Sequence, residues 1–248
     1  MRSNYVDRET AVANNLTYTS DDTFVLRADF ENTVAANEPG RKSVRLVSTQ
    51  TFNHHVAMYG ALNPSPEGSI ADSTIYSFDV RHMPEGCSTW PAIWEAGLET
   101  WPDAGEIDIL EGANGLSPNA MTVHTSDGCT MPVTRDQTGE TILTECGTPQ
   151  PDSPGCGVYD ANSDSYGREF NQAGGGWFAI ERTDTFIKVW FWPRGGGPPG
   201  DVQSGGAQIN TDNWVSQWFS REDSSRVGFS PPFFSVGYPV CVLPQHAV

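Results

Sequence analysis

The sequence predicts an all-β domain built from antiparallel strands, and three observations carry that prediction. Short runs of β-forming residues recur along the chain, and clusters of Gly, Pro, Asn and Asp separate them. With 25 Gly and 18 Pro in 248 residues, little room is left for long helices. A single β-sandwich or barrel of this length is ordinary.

The elements follow in chain order. Asp7 to Asn14 is the one stretch with helical character, and it is short. Strands are expected at Thr23–Arg27, Ser43–Val47, Ile75–Val80, Ile107–Leu110 and Phe186–Phe191, where β-branched and aromatic residues alternate with polar ones or run together. Residues 58–77 carry Gly60, Pro64, Pro66 and Gly68 with no clean period before Ile75, and 215–248 holds four prolines. Both read as irregular, and no repeat of fixed period is present.

Charge narrows the partners. Fourteen Lys+Arg face 31 Asp+Glu for a net charge of −17, and only Lys42 and Lys188 are lysines. Such a surface repels phosphate backbones and anionic headgroups, so neither nucleic acid nor a membrane is an expected partner. No stretch approaches the roughly 20 apolar residues of a membrane helix. Met1-Arg2-Ser3-Asn4-Tyr5 has no apolar leader region. The cysteines, Cys87, Cys129, Cys146, Cys156 and Cys241, lack C-x-x-C spacing, which argues against zinc and leaves thiols and disulfides as equal readings. An acidic, lysine-poor chain with an Asn15-Leu16-Thr17 sequon reads as an extracellular protein, expected to act as a monomer.

The chemistry concentrates in Trp101-Pro-Asp-Ala-Gly105-Glu106-Ile-Asp108-Ile-Leu-Glu111-Gly112. Residues two apart on a strand share a face, so Glu106 and Asp108 point the same way. Regular alternation would join Leu110 to them and turn Glu111 away; one extra residue in a β-bulge returns Glu111 to their side. The Cα atoms of Glu106 and Glu111 are then about 13 Å apart. Glutamate arms leaning inward bring the carboxyls to about 5 Å, the separation of a retaining rather than an inverting glycosidase. The short Asp108 between them can hydrogen-bond an outer carboxyl and hold the titrations apart.

The neighbourhood suits a sugar polymer. Trp90, Trp94 and Trp101 fall within twelve residues, and flat rings match the apolar faces of pyranoses. His124 lies on an expected adjacent strand, in reach of Glu106 or Asp108. Tryptophans as core and His124 as a plain polar group are the bland alternatives. A calcium site would need the carbonyl-rich loop with Asp/Asn at alternate positions that is missing here.

These residues resemble glycoside hydrolase family 16, in particular the fungal laminarinases (endo-1,3(4)-β-glucanases). The pattern G-E-[IV]-D-[IL]-[IL]-E-G stands at Gly105–Gly112, with further likeness at Asp79–Cys87, Thr89–Glu95, Ser117–Thr122, Gly175–Phe178, Glu181–Thr183 and Asn210–Trp214. The likeness covers residues 4–57 and 78–214. It implies a concanavalin A-like β-jelly roll of two curved antiparallel sheets with a glucan channel on the concave face. It makes Glu106 the nucleophile, Glu111 the general acid/base, Asp108 the electrostatic helper and His124 a supporting polar group. Trp90, Trp94, Trp101 and Arg45 become substrate contacts. The chemistry requires no cofactor or metal, and the implied partner is a β-1,3 or mixed β-1,3/1,4 glucan. The alternative is a non-catalytic glucan binder or a defective product of such a gene.

Against the family pattern, 58–77 reads as an insertion and 215–248 as a non-family tail. Met58-Tyr59, Ala71-Asp72 and Tyr76-Ser77 permit the donor, branch and acceptor signals of an in-frame retained intron, and Val215-Ser216 permits another donor. The domain is therefore expected over 1–214, short of terminal strands, and marginal in stability as it stands.

Overall fold

The computed structural model describes residues 3–35, 37–51, 55–56, 75–97, 101–147, 154–183, 186–204, 209–212, 214, 217–220 and 232–237. Its elements begin with β1 (Ser3–Tyr5), α1 (Arg8–Ala13), β2 (Thr17–Ser20), β3 (Thr23–Leu26), β4 (Arg41–Ser43), β5 (Arg45–Thr51), β6 (His55–Val56) and β7 (Ile75–Val80). The central run is β8 (Ala92–Gly97), β9 (Glu106–Glu111), β10 (Ala120–His124), β11 (Glu140–Leu143) and β12 (Cys156–Tyr159). A 3-10 turn (Ser163–Ser165), α2 (Gly167–Gln172), β13 (Gly176–Arg182), β14 (Phe186–Pro193), α3 (Gly200–Gln203), β15 (Gln217–Ser220) and β16 (Pro232–Gly237) complete it.

Two antiparallel sheets face each other, a β-jelly-roll sandwich. One has seven strands in the order β11-β12-β10-β9-β8-β16-β5; the other has four, β15-β14-β13-β6. Hairpin β2-β3 and the parallel pair β1-β4 stand apart, the latter a local exception to the antiparallel rule. The core between the sheets joins Ile107, Ile109, Leu110, Met121, Val123 and Val158 to Phe178, Ile180 and Val189. Each fully buried large side chain contributes about 1.5–3 kcal/mol. Phe170, Phe178 and Phe191 stack within it at centroid distances of 4.8 to 6.1 Å. Arg182 of β13 and Glu95 of β8, both nearly buried, bridge the two sheets at 3.5 Å.

The expected helix forms with Asp7 as N-cap, its Oδ1 accepting the Thr10 N–H at 2.8 Å. The sequence reading has no further helix, but α2, α3 and the 3-10 turn exist. They are too short to show a period, and α2 lacks a side-chain cap; burial of Phe170 and of Tyr166 just ahead of it holds it in place.

The tail corrects a second expectation. It is not irregular throughout: β15 pairs with β14, and β16 inserts between β8 and β5. Open sheet edges recruit short apolar runs such as Trp218-Phe219 and Phe233-Phe234, the second even between Pro232 and Pro239. Residues 58–74 of the expected insertion lie outside the described residues, and from Ile75 the chain is β7, packed along β13.

Candidate active site

Strand β9 carries the site on the face turned from the core. Its pairing with β8 runs Glu106↔Ala96, Ile107↔Glu95 and Asp108↔Trp94, then jumps to Leu110↔Ile93 and Glu111↔Ala92. Ile109 is the extra residue, a β-bulge where the acid spacing requires one. Ile109 and Leu110 both go into the core, at 0% and 2% exposure, and the half-buried Glu111 rejoins Asp108 and Glu106. Gly105, at φ +77°, makes the turn into the strand, a conformation that only glycine adopts freely.

Each acid has its own donor. Trp101 Nε1 donates to Glu106 Oε2 and Trp90 Nε1 to Glu111 Oε1, both at 2.8 Å. Asp108, 1% exposed, accepts from Thr122 Oγ1 at 2.6 Å and lies 3.3 Å from His124 Nε2, both through Oδ2. Carboxylate oxygens of Glu106 and Asp108 lie within 4.8 Å of one another. His124 pairs directly with Glu106 across the ladder, and its ring is 6.1 Å from that of Trp101. A Cβ on Gly155 would lie 2.9 Å from His124 Nδ1, so a bare backbone packs the imidazole from behind. Arg45 stacks on Trp94 at 4.5 Å.

Electrostatics rank the carboxyls. Burial, then the Asp108 charge, pushes Glu106 up to about 7. Burial, then the charges of Asp108 and Glu106, takes Glu111 to about 8, against the lowering effect of the Trp90 N–H. Burial raises Asp108 to about 6, with hydrogen bonding from Thr122 and from the Glu106 carboxyl opposing. The three carboxyls interact strongly, so their protons are lost by the group as a whole.

All eight residues named from the sequence therefore fall at one place: Glu106, Asp108, Glu111 and His124 as a row, with Trp90, Trp94, Trp101 and Arg45 around it. Sequence reasoning missed Thr122, although strand alternation puts it on the face of His124, two residues on. It also gave no role to Asn119, Gly155, Ser165 or Tyr166, whose contacts with the site come from folding alone. Among the described residues, Glu106, Asp108 and His124 are the one group with ligand atoms close enough to hold a metal, within 4.8 Å of one another. Trp101 Nε1 and Thr122 Oγ1 donate to the Glu106 and Asp108 carboxyls of that group.

One pairing unreadable from spacing is now defined: Cys146 and Cys156 form a disulfide. Cys241 lies outside the described residues.

Comparison with known proteins identifies the family. Residues 65–228 match the family model "XgeA-like, catalytic GH16 domain". Those bounds fall inside the 58–77 interval and inside the tail, so the match does not share the boundaries drawn from the sequence. The chain is 41% identical over 177 residues to a Neosartorya fischeri protein named "Probable endo-1,3(4)-beta-glucanase", covering 71% of this chain and 24% of that protein. It is 36% identical over 207 residues to a Schizosaccharomyces pombe protein named "Probable glycosidase", covering 82% and 44% respectively. It thus spans less than half the length of these curated relatives. Among solved structures, the GH16 Laminarinase 16A from Phanerochaete chrysosporium, with β-glucans in its donor and acceptor sites, superposes with a TM-score of 0.84. That pair shares 45% identity over 97% of this chain and 76% of the other. A GH family 16 β-1,3-glucosyltransferase described as elongating superposes at 0.80 with 34% identity, over 96% and 73%. On the matched catalytic-domain model and these identities, the chain belongs to glycoside hydrolase family 16.

Proposed function

We propose that this chain is the catalytic part of a secreted endo-β-glucanase that cleaves β-1,3 or mixed β-1,3/1,4 glucans with retention of configuration. The observation that carries the reading is the bulge at Ile109, which returns Glu111 to the face of β9 that carries Glu106 and Asp108. In the first step Glu106 attacks C1 as Glu111 gives its proton to the departing glycosidic oxygen. In the second, Glu111 takes a proton from water, which attacks C1 and releases Glu106. Asp108, held by Thr122 and beside His124, lies next to Glu106 and supports it electrostatically as that carboxylate gains and loses charge. Trp94, with Arg45 laid on it, and the 43%-exposed Trp101 supply flat walls for glucose rings. A net charge of −17 costs nothing against a neutral polymer. The Cys146–Cys156 disulfide suits an oxidising, extracellular setting.

Transglycosylation shares the glycosyl-enzyme intermediate, and the likeness to an elongating glucosyltransferase keeps it as the second reading. The test is laminarin incubated with the chain. Reducing ends whose first-formed anomer is β, lost in Glu106→Gln, support hydrolysis with retention; longer glucans without net reducing ends support transfer. A folded chain producing neither contradicts both and leaves a glucan binder.

A further inference from the structure

Asn119 is fully buried, takes no part in the chemistry above, and uses every polar group it has. Its backbone N–H donates to Ser165 Oγ at 2.9 Å, and its carbonyl accepts from the Asp160 N–H at 2.9 Å. Its side chain faces β9. Oδ1 accepts the Glu111 N–H at 2.8 Å, and Nδ2 donates to the Ile109 carbonyl at 2.9 Å.

The place of those two bonds gives them meaning. The β9-β10 ladder runs Glu106↔His124, Ile107↔Val123 and Asp108↔Thr122, and its register ends there. Beyond Asp108, where β9 bulges, the carboxamide offers a donor and an acceptor in place of a neighbouring strand's peptide group. A second brace closes the same end: the Tyr166 hydroxyl donates to the Gly112 carbonyl, and Tyr166 follows the Ser165 that holds Asn119.

The geometry points to Asn119 as the positioning residue for Glu111: its carboxamide holds the bulge at Ile109 in the form that turns the Glu111 side chain into the cleft. A strand released from that bulge would bring Leu110 to the cleft face in place of Glu111. The inference rests on the reading of Glu111 as acid/base.

A merely structural asparagine would scale all activities alike; a positioning one impairs the steps that need Glu111. The experiment compares wild type, Asn119→Ala and Asn119→Asp on laminarin and on 2,4-dinitrophenyl β-laminaribioside, with and without azide. The aryl substrate needs no proton to leave: Glu106 bonds to C1, the C1–O bond breaks, and dinitrophenolate departs with the electron pair. Azide then attacks C1 in place of water without needing a base, releasing Glu106 and a glycosyl azide.

Asn119→Ala is expected to lose about 100-fold in kcat/KM on laminarin, within the range of lost acid–base catalysis. On the aryl substrate it should lose less than about 5-fold, with azide accelerating turnover. Asn119→Asp keeps the acceptor but not the donor and should fall between. Equal losses on both substrates with no azide response, or failure of both variants to fold, would overturn the inference. Wild type folded but inactive on laminarin would instead refute the proposed function.

Discussion

The two ends of β9 present their glutamates by different means. Glu106 sits in a continuous ladder, paired with Ala96 on one side and His124 on the other. Glu111 has Ala92 as its ladder partner on one side and the Asn119 carboxamide on the other, just past a bulge. Regular pairing delivers one carboxyl; a side chain filling in for a missing strand delivers the second. The first is robust to substitution around it, and the second depends on a few buried groups.

The largest effects break the comparison outright. Glu106→Gln should abolish measurable laminarin hydrolysis, because no covalent intermediate can form. Glu111→Gln should cost about 10²–10⁴-fold, the scale of acid–base catalysis. Comparable losses in steady-state assays on laminarin and on an activated aryl glycoside would deny the division of labour for Glu111.

The next pair sharpens it. Each indole N–H favours the charged form of its glutamate. Trp90→Phe should raise Glu111 and move the alkaline limb of kcat/KM up by about one pH unit; Trp101→Phe should raise Glu106 and move the acid limb up by a similar amount. One variant widens the pH profile and the other narrows it. Shifts of the same limb in both would contradict the assignment.

A smaller effect appears in stability. Glu111 rises from 4.5 to about 8 on folding, so between those values the native state binds more protons than the unfolded state. Stability is therefore lost as pH rises through that window. Glu111→Gln removes the loss, and its melting temperature should exceed that of wild type by several degrees at pH 8 and hardly at all at pH 4. The smallest effect lies far from β9: Asp7→Ala removes the α1 cap and should lower the melting temperature slightly with kcat unchanged.

Much of the site is legible because it is local. The spacing Glu106-x-Asp108-x-x-Glu111 demands a bulge if all three acids share a face, and the bulge is at Ile109. The helix at 7–14 and β7 at Ile75–Val80 follow from a cap and an alternation visible over a few residues. What is hidden comes from long-range contact. Ser165 meets Asn119 from 46 residues away, and the Tyr166 hydroxyl reaches Gly112 across 54. Asn119 falls in the family-like stretch Ser117–Thr122, but nothing local shows that its side chain, just ahead of β10, bonds to β9. The strands of the tail escape for a related reason: short apolar runs become β-structure only where an edge awaits them.

The central claim is that two glutamates on one bulged strand divide nucleophile and acid/base between them. Inactivation with a 2-deoxy-2-fluoro β-laminaribiosyl fluoride, followed by peptide mass mapping, tests it most directly. The account predicts one fluoroglycosyl group per chain, attached to Glu106. Label on Glu111 or Asp108, or turnover with no trapped ester at all, would contradict it.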